Sequence, residues 1–293
     1  MTTPQSPTRI YLAGPMFSAG DKTEQVALAT ALEAAGFECH LPQENGIEVA
    51  AVMQLLNDPS LHGGQMLEPL VLDRCIVWVT RTVVALDVYQ VVDGCQCTVL
   101  NIDGRVPDEG SLVESTLAWY AGRPVVPYKT TSIAELGGNN NPMIGVISRW
   151  APVSSDPPGV VTAVKAAMKA TGKSAVAGGP PVTKPPLDVQ QLIDLGQVIS
   201  NIRERPPLNK SQRTAAARTL ATIPPQLMEL LEPVTPLQAM CQQLILAIIE
   251  FSKLDPTQNA KRRTIFLDQI AALQAWVAQP GIRDAMVNNP ITC

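Results

Sequence analysis

The chain has 293 residues and an apolar content of 46%, which is enough for two modest domains with buried cores. A net charge of −4 and the lack of any lysine- or arginine-rich block exclude the usual pattern of a nucleic-acid-binding protein. Six cysteines without paired zinc-ligand spacing, and two histidines, leave carboxylates as the expected catalytic groups, with no metal site.

Two features of the N-terminal part indicate a cytoplasmic protein that does not contact a membrane. The polar start Met1–Thr8 lacks the apolar core of a signal peptide. The most apolar span, Met66–Leu86, is interrupted by charged residues that a transmembrane helix rarely contains: Glu68, Asp73, Arg74 and Arg81. We therefore expect the cysteines to be reduced thiols.

Arg9–Ala13 is predicted to be the first strand, and a loop of small residues follows it at Gly14–Gly20. A helix with apolar residues at helical spacing then runs from Asp21 to Ala35. A strand that ends in such a loop before a helix commonly contacts a ligand, although an ordinary strand-to-helix turn is the alternative. The loop lacks the G-x-G-x-x-G pattern of dinucleotide binding, so we expect no NAD.

The next segment is predicted to contain a strand and two helices, at Phe37–Leu41, at Val49–Leu56 and from Pro69 through Trp78. Asp87 follows a β-branched run and is predicted to open a separate short helix, Val88–Val92. Gly94 is predicted to end that helix.

The stretch Asn101–Glu114 is the most informative part of the sequence. It follows a predicted strand, Cys97–Ile102, and leads into a predicted helix, Ser111–Ala121. Its glycines and proline suit a tight strand-to-helix turn, and four acidic residues crowd there: Asp103, Asp108, Glu109 and Glu114. Open α/β sheets bind ligands at such turns, beyond the carboxyl ends of the strands.

A structural interpretation of the same acidic residues is also open. Ser111 and Glu114 fit a capping box, and Asp108 fits a helix cap. However, Glu114 shares helical spacing with the apolar residues Leu117 and Ala121, which places it against the apolar side of the helix. We therefore favour a chemical role for Glu114.

A further strand is predicted at Pro124–Tyr128, so strands and helices alternate with short turns. This alternation is typical of an α/β domain with a doubly wound parallel sheet of Rossmann or flavodoxin type, which we assign to residues 1–172. A helix is expected at Val160–Ala170, and the Pro- and Gly-rich segment Lys173–Pro186 is predicted to be a linker. Residues 187–293 carry regular apolar stripes and are predicted to form an all-α helical bundle for oligomerisation or partner binding.

Three motifs carry a family resemblance: Ile10–Phe17 (IYLAGPMF), Asp108–Glu114 (DEGSLVE) and Asn141–Met143 (NPM). In order and spacing they resemble the nucleoside 2-deoxyribosyltransferase family, and the second has its D-x-G-x-x-x-E form. Asp87 occupies the place of an additional acidic residue of that family. The likeness covers about Arg9–Trp150, and the helical tail has no counterpart in the minimal family enzymes.

This resemblance implies cleavage of an N-glycosidic bond and transfer of 2-deoxyribose between nucleobases. Glu114 would be the nucleophile and would form a covalent glycosyl intermediate. Asp87 or Asp108 would protonate the departing base. Tyr11 would orient the nucleophilic carboxylate.

The remaining candidate site residues are expected to contact the substrate: Ala13, Gly14, Pro15, Phe17, Asp103, Gly110, Asn141 and Met143. The resemblance implies that Asn141 and Met143 reach a neighbouring subunit's pocket, in a homo-oligomer with shared active sites. The implied ligands are a nucleoside or nucleotide and a free nucleobase, with no metal or organic cofactor.

Two other functions are open at this point. One is a hydrolase acting on nucleosides or nucleoside 5′-monophosphates, in which Arg9, Ser18 and Arg105 are candidate contacts of the phosphate. The other is a non-catalytic nucleotide-binding module whose helical tail recruits a partner. The set of Glu114 with Asp87 and Asp108 favours catalysis over this module.

Overall fold

The computed structural model describes residues 7–47, 49–61, 64–103, 107–131, 141–171 and 187–204, with scattered positions between 264 and 278. Its sheet contains four parallel strands, β1 (Arg9–Ala13), β2 (Glu38–His40), β3 (Cys97–Asn101) and β4 (Val125–Tyr128). The strand order is β2-β1-β3-β4. The prediction of an α/β fold with a parallel sheet is confirmed.

The described residues form the helices α1 (Ala19–Ala34), α2 (Pro42–Asn45), α3 (Val49–Leu56), α4 (Pro69–Tyr89), α5 (Glu109–Tyr120), α6 (Pro142–Ile147), α7 (Pro157–Thr171) and α8 (Leu187–Glu204). A 3₁₀ turn, Pro59–Leu61, precedes α4, and a π-helical turn, Gln90–Gly94, follows it. The four predicted strands, and the predicted helices that correspond to α1, α3, α5 and α7, are confirmed with ends that differ by at most three residues.

Alternate residues of β1 face two different apolar cores, because successive side chains of a strand point to opposite faces of the sheet. One core combines Ile10 and Leu12 with residues of α1 and α7. The other combines Tyr11 and Ala13 with residues of α5, α6 and the π-helical turn. This alternation places Tyr11 on the side of the sheet that α5 covers.

The prediction that Asp87 opens a new helix is wrong, because α4 is continuous from Pro69 to Tyr89 and Asp87 lies in its last turn. The valines of this segment have only a modest helix propensity, which tertiary packing overrides. Buried residues recur along α4 at steps of three or four, as a helix requires: Val71, Cys75, Val79, Thr82 and Leu86.

One helical span among the described residues, Val71–Gly94, is long and apolar enough to cross a membrane by length and composition. An 18-residue window within it has a mean hydropathy of 1.5, and 47% of that window is buried within the protein. Core helices of soluble proteins have the same length and composition, so the span is weak evidence for a membrane location.

The chain divides into two compact units, and each unit consists of two segments. The first unit comprises Met1–Asn45 and Asp87–Pro185, and it contains the sheet. The second comprises Gly46–Leu86 and Pro186–Cys293. The predicted contiguous domains differ from this division, since Gly46–Leu86 groups with the C-terminal residues. The predicted linker and most of the predicted bundle lie outside the described residues.

A polar network ties together the carboxyl ends of β3 and β4. The Asp103 carboxylate accepts four hydrogen bonds of 2.6–2.8 Å, from the amides and hydroxyl groups of Thr130 and Thr131. Asn101 accepts a bond from the Asp103 amide at 2.8 Å and donates to Glu24 at 3.1 Å. Burial raises the pKa of Asp103, but the four hydrogen bonds outweigh burial and hold that pKa below its usual value.

Replacing Asp103 with Asn is expected to lower the free energy of unfolding by about 1–2 kcal/mol near neutral pH, because amide donors of Thr130 or Thr131 lose a charged acceptor near solvent. The folded state lowers the pKa of Asp103, so its contribution is full above the unfolded value of 3.8 and disappears as the pH falls through the folded value. Urea denaturation at about pH 7 and about pH 2 measures this difference. If the free energies of unfolding of variant and parent differed equally at both pH values, the stabilising role of the Asp103 carboxylate would be contradicted.

Candidate active site

The four residues predicted to be catalytic lie close together in the first unit: Tyr11, Asp87, Asp108 and Glu114. Tyr11 is the middle residue of β1, and Glu114 lies midway along α5. Asp87 comes from the end of α4, and Asp108 comes immediately before α5. The charges of Asp87 and Asp108 both act on Glu114, so carboxyl groups from two helix ends influence one on the face of α5.

Glu114 has the most unusual electrostatic environment of these residues. Its side chain is partly buried on the sheet-facing side of α5, as the apolar spacing predicted. Burial, the charge of Asp87 and then the charge of Asp108 raise the pKa of Glu114, while hydrogen bonding by Tyr11 lowers it, and the result is a pKa of about 8. The Glu114 carboxyl group is therefore largely protonated at neutral pH.

Tyr11 is held rigidly beneath this carboxyl group. Its side chain is completely buried, and its ring stacks on the His40 ring with centroids 5.3 Å apart and planes inclined by 13°. Burial and the charges of Asp87 and Glu114 raise the pKa of Tyr11 well above its usual value. The Tyr11 hydroxyl group interacts with the Glu114 carboxyl group. Among the described residues, however, it makes no hydrogen bond that meets the full distance and angle criteria. The hydroxyl is thus a donor turned towards the carboxyl cluster.

Asp108 is the N-cap of α5, as one of the structural interpretations predicted. Its Oδ2 atom accepts hydrogen bonds from the Ser111 amide and the Ser111 hydroxyl group, both at 2.7 Å. The capping box of Ser111 and Glu114 is wrong, since α5 begins two residues before Ser111. Glu114 is therefore not a capping residue, and its position next to Asp87 needs another explanation.

The loop after β1 approaches α1 and β3 closely at Gly14. A Cβ atom at this position would collide with Gln25 Nε2 and lie 2.9 Å from Asn101 Cβ, so the position requires glycine. The neighbouring candidates Ala13 and Pro15 are buried and partly buried, respectively. Phe17 is 84% exposed, so its ring is available to a ligand or to another subunit.

The other predicted substrate contacts have different surroundings. Gly110 is exposed in the first turn of α5. Asn141 caps α6 by accepting a hydrogen bond from the Met143 amide at 3.0 Å, and Met143 is 65% exposed. Both oxygens of Asp103 already accept hydrogen bonds from Thr130 and Thr131, so this residue holds the loop after β4 in place.

Of the residues considered for a 5′-phosphate, the two described ones, Arg9 and Ser18, do not form a group. Arg9 begins β1, at the opposite end of the strand from the loop, and pairs with Glu38 at 3.3 Å. Ser18 caps α1 in a reciprocal capping box with Asp21. Arg105 lies outside the described residues.

Sequence reasoning missed a second polar group, on the α1 side of β1 and β3. Gln25 is only 4% exposed, and among the described residues neither of its amide atoms has a hydrogen-bond partner. Its neighbour Glu24 accepts hydrogen bonds from Asn101 at 3.1 Å and from the Tyr128 hydroxyl at 3.0 Å. A glutamine inside an amphipathic helix gives no signal in the sequence that it will be buried.

The four described cysteines are free thiols: Cys39, Cys75, Cys95 and Cys97. Burial raises the pKa of each of these thiols to about 12, so they are poor nucleophiles. Within the described part of the chain, no three His, Cys, Asp or Glu side chains are arranged so that they could hold a metal ion.

No protein-family model matches the chain, and no curated protein matches it.

Replacing Glu114 with Gln is expected to stabilise the protein in alkali. The folded state raises the pKa of Glu114 from 4.5 to about 8, so the parent protein loses stability as the pH rises through that interval. The variant carries no such charge, and its advantage should grow from near zero at acidic pH to on the order of 2–4 kcal/mol near pH 9.

Chemical denaturation of both proteins across this pH range measures the difference, with Glu109→Gln as the control. Glu109 is an exposed residue in the first turn of the same helix, so its variant should show no such growth. If the free energies of unfolding of Glu114→Gln and the parent differed by the same amount at every pH, the unfavourable ionisation of Glu114 in the folded state would be contradicted.

Proposed function

We propose that the chain cleaves N-glycosidic bonds and transfers 2-deoxyribose between nucleobases. The observation that carries this proposal is the partly buried Glu114 carboxyl group beside the Tyr11 hydroxyl, with two further carboxylates acting on it. Two carboxyl groups, one nucleophilic and one acidic, are what a retaining glycosidase-type reaction requires. The motif resemblance to the nucleoside 2-deoxyribosyltransferases supports the same chemistry.

In the proposed reaction an oxygen atom of ionised Glu114 attacks the anomeric carbon while the bond to the base nitrogen breaks. The oxocarbenium-like transition state is stabilised by the negative charges of the cluster. Tyr11 donates a hydrogen bond towards the carboxyl group and orients it. A second nucleobase then attacks the glycosyl ester and regenerates the Glu114 carboxylate, and the proton lost by its attacking nitrogen returns to the acid that protonated the departing base.

We assign the acid that protonates the departing base to Asp87. Asp108 is the weaker candidate, because its Oδ2 atom is committed to two hydrogen bonds from Ser111 at the start of α5. The charge of Asp87 also has a larger effect on Glu114 than the charge of Asp108. Two strongly coupled carboxyl groups that share protons can supply one acid and one nucleophile.

The proposed substrate position is the carboxyl end of the sheet between β1 and β3. We infer a doubly wound domain of Rossmann or flavodoxin type, in which strand order reverses between these neighbours and opens a crevice for the ligand. The loop Gly14–Phe17 follows β1, and the turn that carries Asp108 follows β3. Both therefore border the proposed crevice.

The proposed assembly is a cytoplasmic homo-oligomer whose subunits share active sites. Exposure of Met143 and Phe17 supports it, since exposed apolar side chains are common where subunits meet. A nucleoside or nucleotide and a free base are the proposed ligands, with no organic cofactor and no contact with nucleic acid or membrane. The C-terminal residues are proposed to assist assembly or to bind a partner.

The activity test is incubation of the protein with purine and pyrimidine 2-deoxynucleosides, with and without a free acceptor base. Exchange of bases supports a transferase, and release of free sugar without exchange supports the hydrolase. Glu114→Gln should lower either activity by on the order of 10³-fold or more, because the covalent route is lost. The control Glu109→Gln should retain it. Near-full turnover by Glu114→Gln would contradict the nucleophile assignment.

Replacing Asp87 with Asn is expected to slow cleavage of ordinary deoxynucleosides by on the order of 10²–10⁴-fold, since the departing base loses its proton donor. Cleavage of a nitrophenyl 2-deoxyriboside, whose nitrophenolate leaving group needs no proton, should slow much less. The control is Asp93→Asn, which alters an exposed carboxylate six residues further along the chain. Equal losses on both substrates would indicate a defect in binding or folding instead.

A further inference from the structure

Gln25, in α1, has an unusual environment for a buried polar side chain. It is 4% exposed, and among the described residues neither its amide nitrogen nor its amide oxygen has a hydrogen-bond partner. Buried polar groups are nearly always hydrogen-bonded, because an unpaired one destabilises the folded protein. A methionine would fill a similar space without that cost, so the glutamine indicates a partner that the free protein does not supply.

Two neighbours place the Gln25 amide at the carboxyl end of the sheet. A Cβ atom on Gly14 would collide with Gln25 Nε2, so the amide occupies the space that a side chain at position 14 would need. The same Cβ atom would lie 2.9 Å from Asn101 Cβ. Gly14 directly follows β1, and Asn101 is the last residue of β3. The amide therefore lies where these two strands end.

The ends of β1 and β3 are the place where the strand order of the sheet reverses. These strands are neighbours in the sheet, although β2 lies between them in the chain and pairs with the other edge of β1. Open parallel sheets bind ligands beyond the carboxyl ends of such a pair. The unpaired amide is thus located where the topology by itself favours a ligand.

The polar side chains next to Gln25 are already engaged in other hydrogen bonds. Asn101 Nδ2 donates to Glu24 at 3.1 Å, and Asn101 Oδ1 accepts from the Asp103 amide at 2.8 Å. The other oxygen of Glu24 accepts from the Tyr128 hydroxyl at 3.0 Å. Gln25 differs from these neighbours, since neither atom of its amide is used within the described residues.

The chemistry of the free amide defines the ligand group that fits it. The amide presents a neutral donor and a neutral acceptor side by side in one plane. A ligand satisfies both atoms at once when it carries an acceptor next to a donor in its own plane. Adenine carries such a pair, formed by its amino group and the adjacent ring nitrogen, and glutamine amides bind this edge through two hydrogen bonds.

We propose that Gln25 recognises the base of the substrate and that this base is a 6-aminopurine. The inference rests on the proposed function for the presence of a nucleobase in the crevice, and it names the base and the residue that binds it. Gln25 Nε2 donates to a ring nitrogen of the base, and Gln25 Oε1 accepts from the amino group of the base.

The loop Gly14–Phe17 controls access to the amide. Gly14 lies directly against Gln25 Nε2, so binding of the base includes a shift of this loop that uncovers the amide. Phe17, at the other end of the loop, is 84% exposed and belongs to neither apolar core, so it does not oppose the shift. The hydrogen bonds that the base makes to the amide offset the cost of moving the loop.

Gln25→Met tests whether the amide is unpaired in the free protein. Methionine fills a similar volume without a polar amide, so the urea midpoint of unfolding should not fall. The control is Gln96→Met, at the opposite end of β3. Gln96 Oε1 accepts a hydrogen bond from the Arg9 amide at 2.8 Å, so this variant should have a lower midpoint. A lower midpoint for Gln25→Met would show that the amide is bonded within the folded protein and would overturn the inference.

Binding of free adenine measures the recognition without any reaction. The matched probe is 6-methylpurine, in which a methyl group of nearly the same shape replaces the amino donor. Calorimetry with the parent protein should give a Kd for adenine at least about tenfold below that for 6-methylpurine. Gln25→Met should make the two Kd values nearly equal, whereas Gln96→Met should keep the difference.

Three results of this binding experiment would overturn the inference. They are equal Kd values for the two probes in the parent protein, absence of adenine binding, and a preference for adenine that survives Gln25→Met.

A kinetic comparison separates this inference from the proposed function. The ratio of kcat/KM for 2′-deoxyadenosine to that for 6-methylpurine 2′-deoxyriboside is measured in the parent and in Gln25→Met, so that differences between the two leaving groups cancel. A smaller ratio in the variant supports the inference. Base exchange with an unchanged ratio overturns the inference and leaves the proposed function intact. Binding of adenine through Gln25 without cleavage of any deoxynucleoside overturns the proposed function and supports Gln25 as a base-binding residue.

Discussion

The environment of the Glu114 carboxyl group is the constraint on which the candidate site depends. A carboxyl group on the sheet-facing side of a helix loses hydration, and two nearby carboxylates make its ionisation still less favourable. The sheet makes this arrangement possible, because the alternation of β1 directs Tyr11 towards α5 while Ile10 and Leu12 fill the opposite core. Stability supplied by those two cores offsets the cost of placing a partly buried carboxyl group near other carboxylates.

The proposed chemistry requires that, among Asp87, Asp108 and Glu114, one carboxyl group is protonated while another is ionised. Coupled carboxyl groups achieve this, because the first proton to leave makes departure of the next one harder. The described geometry divides the roles among the three groups. Asp108 is fixed by Ser111 at the helix start, Tyr11 stands behind Glu114, and Asp87 has the stronger influence on Glu114.

Local sequence signals predicted the strands and the acidic turn well, because both depend on nearest neighbours in the chain. The burial of Glu114 followed from its spacing with Leu117 and Ala121, and the cap at Asp108 followed from its residue type. The continuity of α4 was missed, since packing of its regularly spaced apolar residues outweighs the weak propensity of its valines. The burial of Gln25 beneath Gly14 was also missed, because it arises only when α1 packs across β1 and β3.

The discontinuous second unit determines how this protein can be divided for experiments. A simple truncation after the sheet would remove the C-terminal part of that unit and leave Gly46–Leu86 behind, with apolar residues such as Val52, Leu56 and Val71 that are buried in the whole chain. Exposed residues of that kind promote aggregation. Excising Gly46–Leu86 as well would leave Asp87 at the start of a three-residue remnant of α4, because the rest of that 21-residue helix belongs to the excised segment. So short a remnant has no helical stability of its own. A minimal version of the first unit would therefore need a new helix or a designed cap in front of Asp87.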